Sequence, residues 1–484
     1  MRNDINKDNL VVTMATMPLS LDPIDTDDKP SARINAQIFE ELFKLDESLN
    51  IVPSLAESWS FVDATTLKIM LKKGIKFHNG LEVKAEDVEF SICRAAKSSV
   101  YSYMLHVISN VEASDDYTVV VKLKNPFVPI LAHLANFCTS IVSKAEIEKV
   151  GEEAHRRAPI GTGPFKFGKW ISKRFTTSVE LLRFDEYHGK ASLIENISFK
   201  SIPESSLRIS EVERGRVDIA YDIFTEDIER IKATSKAVIV KSHDFSVSGL
   251  GFNCQHPPFD NILVRRAVCH GVNRDEIMKK VYDGEGTLSN GPISPKIWGS
   301  AHDKLVPFEY DVKKAKTLLK EAGYEHGFKA KIFATERLER LNVAMIIQNN
   351  LKLLNIDCEI VVIEWSEFLR LVSVGIDGMF LFNWVAITGD ADYALHQLFY
   401  YSKKGGNYLA YSNMKVNELL DEGRQEFDLD KRKQIYFEAQ KLICSDAPCL
   451  FYQQGDNLTA VRPNVRGLRN HHYNCHALWD VYFE

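Results

Sequence analysis

The chain has 484 residues, 45% of them hydrophobic and 26% charged, which is the balance of a globular protein and not of a disordered or fibrous one. Single cores stop growing near ~250–300 residues, so two or three domains are expected. With 60 lysines and arginines against 66 acids the net charge is -6, and no basic run tracks along the chain, which argues against a nucleic-acid partner.

The first predicted strand is Leu10 to Met14, leading through Leu21-Asp22-Pro23 into a helix expected from about Ala32 to Leu45, where Ile34, Ile38, Phe39 and Leu42 recur at helical spacing. A hairpin-rich block follows: Ala56 to Phe61, Thr66 to Leu71, the turn His78-Asn79-Gly80, and a helix from Ala85 to Ala96. Strands at Thr118 to Leu123 and Ser198 to Ile202 bracket Gly161-Thr162-Gly163-Pro164, read as a tight turn where glycine makes positive φ affordable, and a second hairpin around Trp170 to Arg183. Between them, 128–142 is the most apolar stretch, but His133 and Asn136 interrupt it, leaving it short of the ~18 apolar residues of a membrane-spanning helix.

Past residue 245 the rhythm changes to strand and helix in alternation. Phe245 to Asn253 reads as a strand and Ile262 to Gly271 as a helix; Asn273 with Glu276 three residues on resembles a capping box. Asp311 caps a helix that Gly323 stops. Lys329 to Phe333, a helix from Leu341 to Leu354, and Cys358 to Ile363 form a βαβ unit. A long helix, Lys431 to Ser445, precedes the strand Leu450 to Gln453, and the tail from Val461 to Glu484 is again strand-like, as if the chain returned to its first half.

Catalytic signatures are missing: there is no GxSxG, P-loop, HExxH, CxxC or GxGxxG at a strand-to-helix junction. Eight scattered cysteines are expected as buried free thiols, with Cys444 and Cys449 as the one candidate disulfide. The cluster His471, His472, Cys475 and His476 offers ligand types that zinc, nickel or copper prefers, but in a strand His472 and His476 face one way and His471 and Cys475 the other, so not all reach one ion. Met1 to Lys7 carries no apolar export segment and no acylatable cysteine, as expected of a cytosolic protein or of one whose export signal has been removed.

Short segments in a fixed order carry a resemblance. They are Leu21-Asp22-Pro23, Pro53 to Trp59 (PSLAESW), Lys76 to Gly80 (KFHNG), Ala85-Glu86-Asp87-Val88, Gly161 to Phe165 (GTGPF), Phe252-Asn253 with Pro258-Phe259-Asp260, Val264 to Val268 (VRRAV), Ala315 to Tyr324 (AKTLLKEAGY), and Asn407-Tyr408 with Tyr411-Ser412-Asn413. Through them the chain resembles the dipeptide-, oligopeptide- and nickel-binding receptors of ABC importers, family 5 of the bacterial extracellular solute-binding proteins. The resemblance implies an α/β, periplasmic-binding-protein-like fold of two lobes, of the large peptide-receptor class. Lobe I would take about 1–44, 162–245 and 456–484, with an insertion subdomain at about 45–161; lobe II would take about 246–455. It also implies a monomer without cofactor or catalysis, periplasmic or tethered to the cell surface as a lipoprotein. Such a receptor closes on a small peptide, or on nickel or another metal held by a small metallophore, and delivers it to the permease.

In the peptide receptors an acid shortly after a Gly-Trp-like pair receives the ligand's α-ammonium. Here the matching stretch starts at Asn383-Trp384, and the place of that acid holds Ile387. Asp390 and Asp392 are the nearest acids, so either Asp390 takes the role or the ligand is not an ordinary peptide; Thr388 lies between. Arg337, expected in the loop before a helix at Leu341, is the candidate for a ligand carboxylate. Asp25, Thr26, Phe137, Cys138 and Tyr408 complete the ligand-lining set that the resemblance implies.

Overall fold

The structure is a computed structural model that describes residues 8–25, 27–173, 176–402, 407–469, 471 and 474–484; Thr26 and His472 lie outside the described residues. The chain divides into two compact units, Met1–His243 with Asn457–Glu484, and Asp244–Asp456.

The first unit is built on a seven-stranded sheet in the order Val238–His243, Asp456–Val461, Ile219–Ile223, Asn9–Met14, Asn196–Ser201, Thr176–Arg183, Phe165–Lys173. Leu10, Val12 and Met14 alternate inward along Asn9–Met14 and meet Phe165, Val179 and Phe199 in one core, the period-two pattern of a strand with one face in the core. A separate four-stranded antiparallel sheet, Ala56–Asp63, Thr66–Leu71, Thr118–Leu123 and Ile108–Asp115, packs through Leu67, Ile69, Val119 and Val121 against Val88 and Ile92 of the helix Ala85–Ala95.

The helix expected to reach Leu45 ends earlier. It spans Lys29–Ile38, with Asp28 accepting from the Ser31 N–H, and the chain then turns into a short strand, Phe43–Leu45, paired with Ile51–Pro53. Phe39 and Leu42 kept the helical spacing because both are buried, at 2% and 1% exposure, although they lie beyond the helix.

The GTGP segment has a different cause from the tight turn expected. Neither Gly161 nor Gly163 has positive φ. A Cβ on Gly161 would lie 2.1 Å from the Ile38 carbonyl oxygen, and one on Gly163 2.6 Å from that of Gln37, so glycine is needed for close approach to the end of the helix Lys29–Ile38. His78 of the FHNG turn holds the same segment from the other side. Its Nε2 bonds the Gly163 carbonyl at 2.9 Å and its Nδ1 accepts from the Gly161 N–H at 3.3 Å.

The second unit carries a five-stranded mixed sheet in the order Asp357–Ile363, Lys329–Thr335, Met379–Val385, Ser246–Phe252, Cys449–Gln453. The first three strands run parallel, Ser246–Phe252 runs antiparallel to them, and Cys449–Gln453 runs antiparallel to Ser246–Phe252, so in the direction of the first three. One face buries Leu250, Ile332, Ala334 and Leu381 against Val264, Val268, Ile347 and Leu351 of the flanking helices Ile262–Gly271 and Leu338–Lys352. The two arginines of VRRAV hold a neighbouring helix end: Arg265 is buried and bonds the carbonyls of Phe259, Asp260, Asp446 and Ala447, and Arg266 bonds that of Ser445, so together they cap the C-terminus of the helix Leu429–Asp446. Asn273 accepts from the Glu276 N–H as expected, but its own N–H goes to Asn350, so only half of a capping box forms. All eight cysteines are free thiols.

Candidate functional site

Ligands of open α/β sheets gather outside the carboxyl ends of parallel strands, and in the second unit Thr335, Ile363 and Val385 mark those ends. Asn383 and Trp384 come just before, and because side chains alternate along a strand they point to opposite faces. Asn383 continues the face of Leu381: its amide donates to Ser248 Oγ at 3.0 Å, and that hydroxyl donates to Gln453 Oε1 at 3.2 Å. Trp384 follows Phe380 and Phe382 on the other face. Those rings lie over the neighbouring strand only because Gly249 and Gly251 stand opposite them; a Cβ there would come within 2.6 and 2.7 Å of the rings.

The Trp384 ring stacks on Tyr393, with centroids 6.2 Å apart and planes at 16°, and meets Tyr408 edge-on at 6.4 Å. Its indole N–H is buried and meets no acceptor among the described residues. An orphaned buried donor costs ~1–3 kcal/mol, and a bound acceptor would remove that cost. Tyr408 is 40% exposed, so this aromatic group has an open edge.

The acids beyond Trp384 are already matched. Asp390 caps the helix Ala391–Phe399 and takes both outer nitrogens of Arg432 at 2.6 and 2.8 Å; Thr388, at 2% exposure, donates to the Asp390 carbonyl. Asp392, fully buried, pairs with Arg424 at 2.8 and 3.2 Å, and Arg424 also donates to His396 Nε2 at 2.7 Å. Burial opposes the charge on Arg432 and Arg424, but the facing carboxylates outweigh it and hold both above the usual arginine range. These pairs tie three helices together, Ala391–Phe399, Met414–Gln425 and Leu429–Asp446. Asp390, the acid expected to receive an ammonium, thus already faces Arg432, and Asp392 already faces Arg424.

Arg337 is 61% exposed and reaches Glu339 at 3.5 Å. The helix after it begins at Leu338, three residues earlier than expected, and that shift puts Arg340 in its first turn. Arg340 is half-buried, donates to Thr335 Oγ1 at 3.0 Å and lies 5.8 Å from the centre of the Trp365 ring. Burial lowers its pKa from the usual arginine value. Sequence reasoning passed over it; the only available signal was that the ERLER stretch holds two arginines, and choosing between them needs the true start of the helix.

In the first unit Asp25 accepts from Ser20 Oγ at 2.7 Å and pairs with Arg156 at 2.8 Å. Cys138 is fully buried, and burial pushes its thiol well above the ordinary value, so its side chain lines no surface, contrary to expectation. Phe137 is half-buried, edge-on to Tyr101 at 5.8 Å. His471 and His476 do not lie in a strand. His476 is buried, with Nδ1 3.0 Å from the Tyr221 hydroxyl and Nε2 3.2 Å from Ser242 Oγ, and burial lowers its pKa to about 3. His471 Nδ1 accepts from the Cys475 N–H. Among the described residues no group of three His, Cys, Asp or Glu side chains is placed to hold a metal ion.

Known proteins share this architecture and sequence. The "Dipeptide-binding protein" of Escherichia coli K12 is 30% identical over 460 residues, covering 87% of this chain and 85% of its own. The "Glutathione-binding protein GsiB" of Pectobacterium atrosepticum is 30% identical over 456 residues, covering 91% and 87%. Among solved structures, the ABC transporter-associated periplasmic binding protein DppA from Helicobacter pylori, in complex with the peptide STSA, superposes with a TM-score of 0.84 at 30% identity over 98% of both chains. Residues 50–406 match the family described as bacterial extracellular solute-binding proteins, family 5 middle, and on these grounds the chain belongs to family 5 of the bacterial extracellular solute-binding proteins.

Proposed function

We propose that this chain is the extracytoplasmic receptor of an ABC importer, capturing a small peptide and delivering it unaltered to the membrane permease. The observation that carries the reading is the chemistry shared by its relatives across nearly the whole chain: one is named for dipeptides, one for glutathione, itself a tripeptide, and one holds a tetrapeptide. The second unit supplies groups suited to such a ligand. Trp384, Tyr393 and Tyr408 give stacking area, and the unpaired indole N–H is ready for a peptide carbonyl. Work outside the cytoplasmic membrane, as a periplasmic protein or a lipid-anchored one, follows from the same reading.

Native mass spectrometry of the protein as purified tests it. Captured peptide appears as a ladder of adducts that fragment as peptides after release. A single metal-bearing adduct, or an empty protein that takes up nothing from a mixed peptide digest, would overturn the peptide reading.

A further inference from the structure

We infer that Glu41 binds a proton in the folded chain and works as a hydrogen-bond donor, a proton-sensitive catch that fastens the segment 136–141 to the chain just past the helix Lys29–Ile38. A count of hydrogens carries the inference. Ser140 Oγ lies 2.7 Å from the Phe137 carbonyl oxygen and 2.8 Å from Glu41 Oε1. Both contacts are of hydrogen-bond length, and each needs a proton between its oxygens. The hydroxyl supplies one and the carbonyl none. With Ser140 donating to Phe137, the second proton sits on Glu41, which donates to the Ser140 oxygen. An ionised Glu41 would leave one of the two oxygen pairs with nothing between them.

The groups around Glu41 favour the neutral acid. Glu41 is half-buried, Ser140 is buried, and the neighbouring Cys138 is fully buried. Among the described residues no cation stands within ion-pair distance of Glu41, and Lys44 of the strand Phe43–Leu45 is exposed. Glu40, next in the chain, is itself an acid, and its carboxylate is taken up by His188 at 2.8 Å and by the Tyr187 hydroxyl at 3.1 Å. Burial outweighs the contacts of Glu41 with Ser140 and with its own backbone N–H, and raises its pKa from 4.5 to about 7. When the proton leaves for solvent, the Ser140 hydroxyl turns to the carboxylate and the Phe137 carbonyl loses that bond. The joint keeps backbone bonds such as that from the Ile141 N–H to the Glu40 carbonyl at 2.9 Å. Because the folded pKa lies above the unfolded one, the stabilisation is complete below pH 4.5 and is lost as the pH rises through about 7. The loosened segment carries Phe137, which the resemblance sets among the ligand-lining residues.

The test uses the full chain with carbon-13 in its glutamate carboxyl groups, followed by NMR across the pH range. One carboxyl resonance is expected to titrate with a midpoint of about 7. It should be missing from Glu41→Gln, whose amide keeps a donor for Ser140, or from Glu41→Met should the glutamine variant fail to fold. Amide exchange over 137–141, corrected for the intrinsic effect of pH, should run at least ~3-fold faster at about pH 8.5 than at about pH 6 in the wild type, and alike at both in Glu41→Gln. Glutamate midpoints that all fall below ~5.5, near the ordinary value, would overturn the inference, as would a resonance near neutrality that survives in the variant. A Glu41 that titrates as expected while exchange over 137–141 ignores pH would leave the bound proton standing and remove the catch.

Discussion

At the scale of single residues, neighbours in sequence separate into two kinds that answer mutation differently. Asp390 and Arg432 form a two-pronged pair, 11% and 2% exposed, and the guanidinium also lies 4.5 Å over the Trp298 ring. Removing one partner strands a buried charge, at a cost of about 3–5 kcal/mol. Arg432→Met is therefore expected to lower unfolding free energy by that amount in a denaturant titration, and Asp390→Asn, which keeps the shape, by less. Ligand affinity of the folded Asp390→Asn protein should stay within threefold. Trp384→Ala has the opposite profile, weakening peptide binding at least tenfold, about 1.4 kcal/mol, with a small change in melting temperature. A collapse of affinity in folded Asp390→Asn would return that acid to the ligand. Trp384 and Tyr408 were visible in the sequence only through the resemblance, which placed both among the expected ligand-lining residues. It could not show that Asp390 and Asp392 were taken, because their partners lie 42 and 32 residues further on, in helices whose packing alone brings them back.

Segments, taken as units, explain why FHNG and GTGP belong together. His78 accepts one N–H from the glycine loop and bonds one carbonyl of it, a pattern that only the neutral imidazole allows. Burial lowers its pKa from 6.5 to about 4. Because the folded value lies below the unfolded one, its stabilisation is complete above pH 6.5, declines as the unfolded state takes up a proton, and is exhausted near pH 4. The span of about 2.5 units corresponds to at most ~3 kcal/mol. Wild type and His78→Asn, compared by urea titration at steps between pH 7 and 4, should differ most at pH 7 and converge as the pH falls; a difference constant across that window would remove His78 from the linkage. His471 and His476, also shifted down by burial, act in both proteins and cancel in the comparison. Elements with a full period and a cap, such as Ile262–Gly271 and Thr118–Leu123, were legible to the residue. The helix Lys29–Ile38 was not: it opens with Pro30 at its start and ends where Phe39 turns extended at φ -116, ψ 164, and the buried residues beyond it imitate one more turn.

For the molecule as a whole, the order of strands makes the two units unequal as folding entities. Every strand of the five-stranded sheet, and the core it buries, comes from the continuous stretch Asp244–Asp456. The first unit needs both ends of the chain. Asp456–Val461 is not an edge strand but sits between Val238–His243 and Ile219–Ile223, and Leu458 and Ala460 fill a core with Ile209 and Ile231. Beyond it the tail is fastened to the helix Lys29–Ile38: Gln37 donates to the His476 carbonyl at 2.9 Å and accepts from the Leu478 N–H at 3.1 Å, and Arg33 donates to the Asn474 carbonyl at 3.3 Å. Without the tail, Gln37 and Arg33, each 1% exposed, keep buried donors with fewer acceptors, at ~1–3 kcal/mol for each group left unmet, and the sheet loses an interior strand. A fragment of residues 244–456 is thus expected to melt cooperatively with dispersed amide resonances, whereas residues 8–243 alone should show neither until 457–484 is rejoined through a flexible linker. Cooperative unfolding of 8–243 by itself would mean that the returning strand decorates a finished sheet, and that the first unit owes its stability to the helix and four-stranded layers instead.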